Sequence, residues 1–232
     1  MEIKRVKYSG VRKIIGERLQ ESLSGDPHAT ILTTVDWTNM LEFRKEYKDK
    51  TGISLAGTSF MIKATGLALK KFPQFNTRLV DSETGNGKEI VYYDDADAGI
   101  AVDTPKGLMM VTVKNVANRG LEDITNDMRD KVARLKAGKI LPEEVVGSTF
   151  SISNEMMSTN DFFNSIINNH EAFILGVARH KKQLVVNDDD TTSIREIGNM
   201  MLTYNHKMND GMPAAALLGE IAELLTNPEQ LL

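Results

Sequence analysis

Stretches with helical periodicity alternate with short β-branched stretches along this chain, and this mixed order limits the folds that the chain can adopt. The clearest helical pattern covers residues 121–137, and Gly138 stands where such a helix would end. Apolar residues recur there at intervals of three or four, at Leu121, Ile124, Met128, Val132 and Leu135. We therefore predict a helix over this segment.

The same patterns predict the other elements. Helices are expected over residues 11–23, 38–48, 57–72 and 212–225; the first ends at Gly25-Asp26-Pro27 and the third is apolar on most of its circumference. Strands are expected near residues 28–37, 90–93, 99–102, 108–113, 148–153, 172–177 and 197–205, with a turn at residues 103–107. This order favours an α/β two-layer sandwich. Neither GxGxxG nor GxxxxGKS/T is present, so no nucleotide-binding glycine loop is expected.

Composition removes several classes of function. The 232 residues carry a formal net charge of −4, with Lys and Arg scattered, so no nucleic-acid partner is expected. Cysteine is absent, which excludes disulfides, thiolate metal sites and cysteine nucleophiles. No apolar stretch approaches the roughly 18 to 20 residues that span a bilayer, and the N-terminus is too polar for a signal peptide. We predict a cytoplasmic protein that does not enter a membrane, and one large domain.

The segment NHKMNDG, from Asn205 to Gly211, is the candidate for chemistry. It lies between a predicted strand and the last predicted helix, where a side chain can project from the end of a sheet. Two interpretations are open from the residues alone: His206 is a catalyst, or it is an ordinary turn residue with Asp210 at the N-cap of the helix. Ser151 and Ser153 likewise fit alternating polar positions on a half-exposed strand.

Several motifs in order resemble one known family, from about Tyr8 to Leu232. They are SGVRKIIGERLQES, DPHATILTTVD, FPQFNTRLV, AGIAVDTPKGLMMVTV, TFSISN, AFILGVARHKKQLVV and the final His-x-x-x-Asp-Gly. Together they resemble the catalytic core of the 2-oxo-acid dehydrogenase complexes, the dihydrolipoamide acyltransferases. The resemblance implies a fold of the chloramphenicol acetyltransferase type, with a mixed sheet and helices packed on one face. It also implies a single acyltransferase domain over residues 1–232, without a lipoyl or peripheral-subunit-binding domain in this chain.

The chain departs from the family pattern at three places. Asn205-His206-Lys207 stands where the family usually has Asp-His-Arg. Residues 155–157, Glu-Met-Met, replace a stretch that is commonly glycine-rich, and residues 168–170, Asn-Asn-His, replace Asn-Pro-Pro. All three changes are expected near the substrate channel, where they would affect substrate identity and activity.

The resemblance implies the catalytic roles. His206 matches the base that removes the proton from a thiol of coenzyme A or dihydrolipoamide, and Ser153 matches the hydroxyl that stabilises the oxyanion. A free thiol has a pKa of about 8.5 and a free imidazole one of about 6.5, so a neutral imidazole is a suitable acceptor. Asp210 matches an aspartate that supports the site through a buried ion pair or a hydrogen bond, for which Arg12 and Arg44 are both possible partners.

The resemblance also implies partners. Coenzyme A is expected as a substrate, with the lipoyl group on another domain or chain, and no residues that bind coenzyme A are recognisable. A homotrimer is expected, with His206 of one chain facing Ser153 of the next, in a complex with dehydrogenase partner subunits. Residues 227–232 resemble a tail that joins trimers into a cage, or they are a frayed end with two exposed leucines.

Three histidines lie outside the candidate segment. His28 matches a family histidine at the start of a strand, whereas His170 and His180 are expected to be solvated. No cluster has metal-ligand spacing, so no metal is expected. Two alternatives to the complex-bound acyltransferase are a catalytically weak scaffold and a free acyltransferase that uses acyl-coenzyme A and another small acceptor.

Overall fold

A computed structural model describes residues 1–105, 107–168 and 170–232. Lys106, in the predicted turn at 103–107, and Asn169, in the segment 168–170, therefore lie outside the described residues. The helices are α1 Gly10–Gly25, α2 Thr38–Thr51, α3 Gly57–Lys71, α4 Leu121–Lys136 and α5 Gly211–Thr226. The strands are β1 His28–Asp36, β2 Thr77–Asp81, β3 Lys88–Tyr92, β4 Ala98–Thr104, β5 Gly107–Val113, β6 Phe150–Asn154, β7 Phe173–Val186 and β8 Thr192–Asn205.

Six strands form a mixed sheet in the order β1-β8-β7-β6-β4-β5. The strand β6 runs parallel to both of its neighbours, β4 and β7, and the other pairings in this sheet are antiparallel. The strands β2 and β3 form a separate two-stranded antiparallel sheet. The mixed sheet agrees with the fold predicted from the sequence.

Three helices pack along the sheet. The helix α3 lies between α4 and α5, and it contacts β6, while α4 contacts β5 and α5 contacts β1 and β8. The helix α3 is buried over most of its length, as its nearly continuous apolar circumference predicts. It includes Lys63, whose Nζ donates hydrogen bonds to the carbonyls of Ala117 and Arg119 at 2.9 and 2.7 Å. Burial lowers the pKa of Lys63.

The hairpin of β7 and β8 is much longer than the sequence predicts. The predicted strands end at residue 177 and begin at residue 197, but pairing continues out to Val186 and Thr192. The outer half carries a mixture of charged and apolar residues, and Leu184, Val186 and Ile194 remain exposed. No single face of that half is buried, so it lacks the alternation that identifies a strand. The strand β2 was also missed, because it forms only by pairing with β3.

The two ends of the chain differ from expectation in burial. The helix α1 forms where predicted, but Ser22 is its buried residue, and Val11 and Ile14 are exposed. At the other end, Leu231 belongs to the hydrophobic core of its own chain and Leu232 is exposed. The interpretation of residues 227–232 as a frayed end with two exposed leucines is therefore wrong.

Candidate active site

His206 lies in a tight turn that directly follows β8. The preceding residue, Asn205, is buried and holds this turn together. Its N–H donates to the Ala172 carbonyl at 2.9 Å, and its Oδ1 accepts the N–H of Lys207 at 3.0 Å. Its carbonyl accepts the N–H groups of Met208 and Asn209 at 3.1 and 3.2 Å. An asparagine side chain that bonds a backbone N–H two residues later is a turn-forming device, so Asn205 fixes where the strand ends.

The imidazole of His206 is half exposed, with 46% of the side chain accessible. The backbone N–H of His206 donates to the Pro27 carbonyl at 2.9 Å, which anchors the residue to the start of β1. The ring lies 5.2 Å from the ring of the buried Tyr204, at an interplanar angle of 50°. The backbone is thus fixed while the imidazole is accessible to a substrate, as a general base requires.

Asp210 occupies the N-cap position of α5, but its side chain makes no capping hydrogen bond. Its carbonyl accepts the N–H of Ala214 at 3.1 Å, and its Oδ1 lies 3.7 Å from His206 Nδ1. The side chain is 86% exposed in the single chain. Of the two arginines expected as its partner, Arg44 donates instead to the Leu55 carbonyl, at 3.0 and 3.2 Å.

Ser153 lies near the carboxyl end of β6 and is half-buried. It pairs with Gly176 on β7, beside the ring of Phe163. A Cβ at Gly176 would lie 3.2 Å from the Phe163 ring, so the absence of a side chain at Gly176 leaves room for that ring. Ser151, two residues earlier, is completely buried, so the interpretation of this segment as a half-exposed strand is wrong.

The structure does not bring Ser153 and His206 of one chain together. In the sheet, Ser153 is level with Gly176 on β7, and Gly176 is level with Met201 on β8. His206 is five residues beyond Met201 along the chain. At about 3.3 Å per residue, the two side chains lie roughly 16 Å apart along the strand direction, in addition to the width of two strand spacings. One chain therefore presents the histidine and the serine at separate places.

The structure shows the contacts that residues make at two of the departures from the family pattern. Glu155 begins a turn after β6: its N–H donates to the Val177 carbonyl at 2.8 Å, and its carboxylate accepts from Asn160 Nδ2 at 2.7 Å. Lys207 donates through Nζ to the Gly25 carbonyl and lies 3.8 Å from Asp26 Oδ1. Both departures are thus tied to neighbouring elements by defined contacts.

A buried carboxyl group near the start of β7 was not recognised from the sequence. Glu171 is 1% exposed, and its Oε1 accepts hydrogen bonds from Ser148 Oγ at 2.6 Å and Asn168 Nδ2 at 3.0 Å. Burial raises the pKa of Glu171 from 4.5 to about 7. No local pattern distinguishes this glutamate from the many on the surface, because its burial results from the strand pairing around it.

The other histidines are more constrained than expected. His180 Nδ1 lies 2.9 Å from Glu196 Oε2, and His170 Nδ1 lies 3.7 Å from Asp26 Oδ2. Both side chains are less than a third exposed, so the prediction that they are solvated is wrong. His28 starts β1 as predicted, and burial lowers its pKa, partly offset by the nearby Asp26 carboxylate.

Two further properties concern the whole described part of the chain. Among residues 1–105, 107–168 and 170–232, no group of three or more His, Asp or Glu side chains is arranged to hold a metal ion. No helix within these ranges has both the length and the apolar character to span a membrane.

Comparison with known proteins adds sequence relatives over the whole length. The family described as 2-oxoacid dehydrogenases acyltransferase (catalytic domain) matches residues 1–232. The acetyltransferase component of the pyruvate dehydrogenase complex of Bacillus subtilis (strain 168) is 32% identical over 98% of this chain and 51% of the relative. The succinyltransferase component of the 2-oxoglutarate dehydrogenase complex of Cupriavidus necator is 34% identical over 98% of this chain and 54% of the relative. The chain thus spans about half the length of the curated relatives it matches.

Solved structures agree with the fold. A structure of dihydrolipoamide acetyltransferase from Azotobacter vinelandii superimposes with a TM-score of 0.90 at 26% identity, over 99% of this chain and 94% of that chain. The cubic core of a pyruvate dehydrogenase multienzyme complex gives the same score, identity and coverage. Chloramphenicol acetyltransferase, at 13% identity, gives 0.53 over 90% of this chain and 94% of that chain, and shares the fold.

Proposed function

The chain belongs to the family of 2-oxoacid dehydrogenase acyltransferase catalytic domains, and on that basis we propose that it moves an acyl group between a dihydrolipoyl thiol and coenzyme A. The observation that carries this proposal is the family match over residues 1–232, which includes the accessible His206 on its fixed turn. Coenzyme A is a substrate in this proposal, and the lipoyl group belongs to another domain or chain.

His206 is the general base of the proposed reaction. Its neutral imidazole accepts the proton of the attacking thiol, and the resulting thiolate forms a bond to the carbonyl carbon of the thioester. The tetrahedral intermediate then expels the second thiolate, which takes the proton back from the imidazolium. A histidine is suited to both steps because its neutral and protonated forms are both accessible near neutral pH.

Ser153 is proposed to donate a hydrogen bond to the oxyanion of the tetrahedral intermediate, and Asp210 to orient the imidazole. The investigation of the Azotobacter vinelandii enzyme concerns a serine, a histidine and an asparagine in its catalytic mechanism. In that protein the histidine is 52 residues after the serine and the asparagine is four residues after the histidine. Ser153 and His206 are 53 residues apart here, and Asp210 is four residues after His206. This spacing supports the three assignments.

The separation of Ser153 from His206 in one chain supports a site that is shared between chains. We therefore propose a homotrimer in which His206 of one protomer faces Ser153 of the next. Assembly of trimers into a larger core is proposed by analogy with the cubic core that this chain resembles. The partners would be a lipoyl domain and the dehydrogenase subunits of a complex, in the cytoplasm. Residues 1–232 are proposed to be one catalytic domain.

The decisive experiment is acyl transfer from acetyl-coenzyme A to free dihydrolipoamide, measured for the chain and for His206→Ala. We expect transfer by the unchanged chain and a loss of about three orders of magnitude or more in kcat for the variant, since a group that acts as base in both directions is removed. His180→Ala is the matched control, because His180 is paired with Glu196 and is not part of the proposed site.

Two results would count against the proposal. If the unchanged chain forms trimers and transfers no acetyl, succinyl or branched-chain acyl group, the chain is a scaffold or uses another acceptor. If His206→Ala keeps the rate of the unchanged chain, another residue is the base. Comparing acetyl-, succinyl- and branched acyl-coenzyme A in the same assay determines the acyl preference, which relatives with different acyl groups leave open.

A further inference from the structure

The turn that carries His206 is attached to the carboxyl end of α1 by three contacts. The His206 N–H donates to the Pro27 carbonyl at 2.9 Å. The adjacent Lys207 donates through Nζ to the Gly25 carbonyl and lies 3.8 Å from Asp26 Oδ1. Residues 25–27, at the end of α1, thus contact both His206 and Lys207 of the turn.

The end of α1 is itself fixed, so this attachment is rigid on both sides. The Asp26 N–H closes the last turn of α1 on the Ser22 carbonyl at 2.9 Å. The Ser22 hydroxyl donates to the carbonyl of Ile167 at 2.7 Å, which ties α1 to the segment before β7. Contacts made by residues 25–27 therefore place His206 relative to the sheet.

Asp26 is the unusual member of this junction, because its side chain is only 3% exposed. Its Oδ2 has no hydrogen-bond partner among the described residues, and the same holds for His170 Nδ1, 3.7 Å away. His170 has a backbone φ of 66°, in the left-handed region that non-glycine residues rarely adopt. A buried carboxylate is unfavourable without compensating charge, and the Lys207 ammonium, 3.8 Å from Oδ1, supplies that charge.

We propose that Asp26 is a positioning residue for acyl transfer: its buried carboxylate holds Lys207, and with it the His206 turn, against the end of α1. This inference rests on the proposed function, in which His206 is the base. Asp26 touches neither substrate nor the imidazole in this assignment. Asp26 acts by holding Lys207, the residue after His206, at the end of α1. Asn205, the residue before His206, is held by its own hydrogen bonds.

The expected effect follows from geometry. A base that is displaced by about 1 Å can lose on the order of a hundredfold in rate, because the proton transfer requires hydrogen-bond distance. The imidazole is 46% exposed, and its neighbours are the Tyr204 ring at 5.2 Å and the exposed Asp210 carboxylate at 3.7 Å. The Asp26 carboxylate is buried and Lys207 Nζ is bonded to the Gly25 carbonyl, so the loss is expected in kcat, with KM little changed.

The test is a double-mutant cycle with Asp26→Asn, Lys207→Met and the combined variant. Each single change is expected to lower kcat about ten- to a hundredfold with KM within about twofold of the unchanged chain. The combined variant is expected to lose no more than the more severe single change, because both act through one contact. Lys207→Arg restores the charge and is expected to recover most of the rate lost in Lys207→Met.

Asp130→Asn is the matched control. Asp130 forms an ion pair with Arg134 at 2.7 Å within α4, and its side chain is 62% exposed and lies outside this junction, so the variant is expected to keep its kcat. Lys207→Met changes a half-exposed side chain and should fold even if Asp26→Asn does not. Retention of kcat within about twofold in Lys207→Met, or losses that multiply in the combined variant, would overturn the proposal.

A second measurement separates this inference from the proposed function. The chain has four histidines, so histidine-selective isotope labelling gives four imidazole signals, assigned by single His→Gln variants. We expect the His206 signal to shift in Asp26→Asn and in Lys207→Met, with His180 unmoved. If the unchanged chain transfers no acyl group, the proposed function fails, yet these spectra still decide on the attachment. An unmoved His206 signal in both variants shows that Asp26 does not position the turn.

Discussion

At the scale of single residues, two buried carboxyl groups near the start of β7 differ in their surroundings. Asp26 lies 3.8 Å from Lys207 Nζ and 3.7 Å from His170 Nδ1, whereas Glu171 accepts hydrogen bonds from Ser148 and Asn168 and also interacts electrostatically with Arg78. For Glu171, burial is the dominant influence and raises its pKa to about 7. Substitutions of the two groups are therefore expected to act through different contacts.

Glu171 makes the stability of the fold depend on pH. The folded chain keeps this proton up to about pH 7, but an unfolded chain loses it near 4.5. Between these values the unfolded state binds fewer protons, so the free energy of unfolding falls as pH rises, by on the order of 3 kcal/mol for this group. Glu171→Gln, which stays neutral, is expected to match the unchanged chain at pH 5 and to be more stable than it at pH 8.

Urea unfolding at pH 5 and pH 8, at one protein concentration, checks this prediction. Glu144→Gln is the control, because the pKa of Glu144 is shifted in the opposite direction: the Arg134 guanidinium lowers it to about 2. Its ion pair is complete above pH 4.5, so the stability lost in that variant should be the same at both pH values. A difference between Glu171→Gln and the unchanged chain that does not vary with pH would contradict the assignment.

At the scale of elements, the long hairpin of β7 and β8 depends on one glycine. The pairing of the two strands shifts register between Val177 and His180, and Gly198 lies opposite this irregularity. A Cβ at Gly198 would be 2.7 Å from the Arg179 carbonyl oxygen and 3.0 Å from Trp37 Nε1. Backbone atoms cannot move aside as the end of a flexible side chain can. The strand can therefore follow this course only without a side chain at position 198.

Gly198→Ala is expected to lower the free energy of unfolding by about 1 to 3 kcal/mol through this overlap. Gly219→Ala is the matched change, because Gly219 lies within α5 and no atom would approach a Cβ there within 4 Å. That variant should gain about 0.5 to 1 kcal/mol, since alanine loses less backbone freedom in a helix. Urea unfolding of both variants measures the two effects, and equal effects of the same sign would refute the contact argument.

At the scale of the whole molecule, the separation of Ser153 and His206 is the property with the largest consequence. If the site is shared between protomers, Ser153→Ala and His206→Ala each inactivate every site of a trimer made of one variant. A mixed trimer contains one interface at which an intact histidine meets an intact serine. The two inactive variants should then complement each other.

Co-expression of Ser153→Ala and His206→Ala in equal amounts is expected to restore about a quarter of the activity of the unchanged chain, the fraction of intact interfaces in randomly mixed trimers. Ser153→Ala alone should lose about 10² to 10³ in kcat, the usual loss for one oxyanion donor. The recovery is measured as the acyl-transfer rate of the co-purified mixture. The reference is the rate of the two variants purified apart and then mixed without exchange of subunits. Activity of the co-expressed mixture no higher than that of the separate variants would contradict a site shared between protomers.

The sequence by itself predicted the features that repeat locally. The periodicity of residues 121–137 predicted α4, and the β-branched run from His28 predicted β1. Both predictions were possible because the residues that form one face of a helix or strand lie within a single continuous segment. The order of motifs identified the family. It also predicted His206, Asp210 and Ser153 as the residues to test.

Tertiary structure alone decided which groups are buried and which residues meet. Three properties depend on contacts between residues far apart in sequence. They are the burial of Glu171 and Asp26, the hydrogen bond from Lys207 to the end of α1, and the distance between Ser153 and His206. The outer half of the β7 and β8 hairpin is likewise held by pairing across the turn. The physical reason is that pKa, burial and register are set by neighbours in space, and a single sequence without its fold does not identify those neighbours.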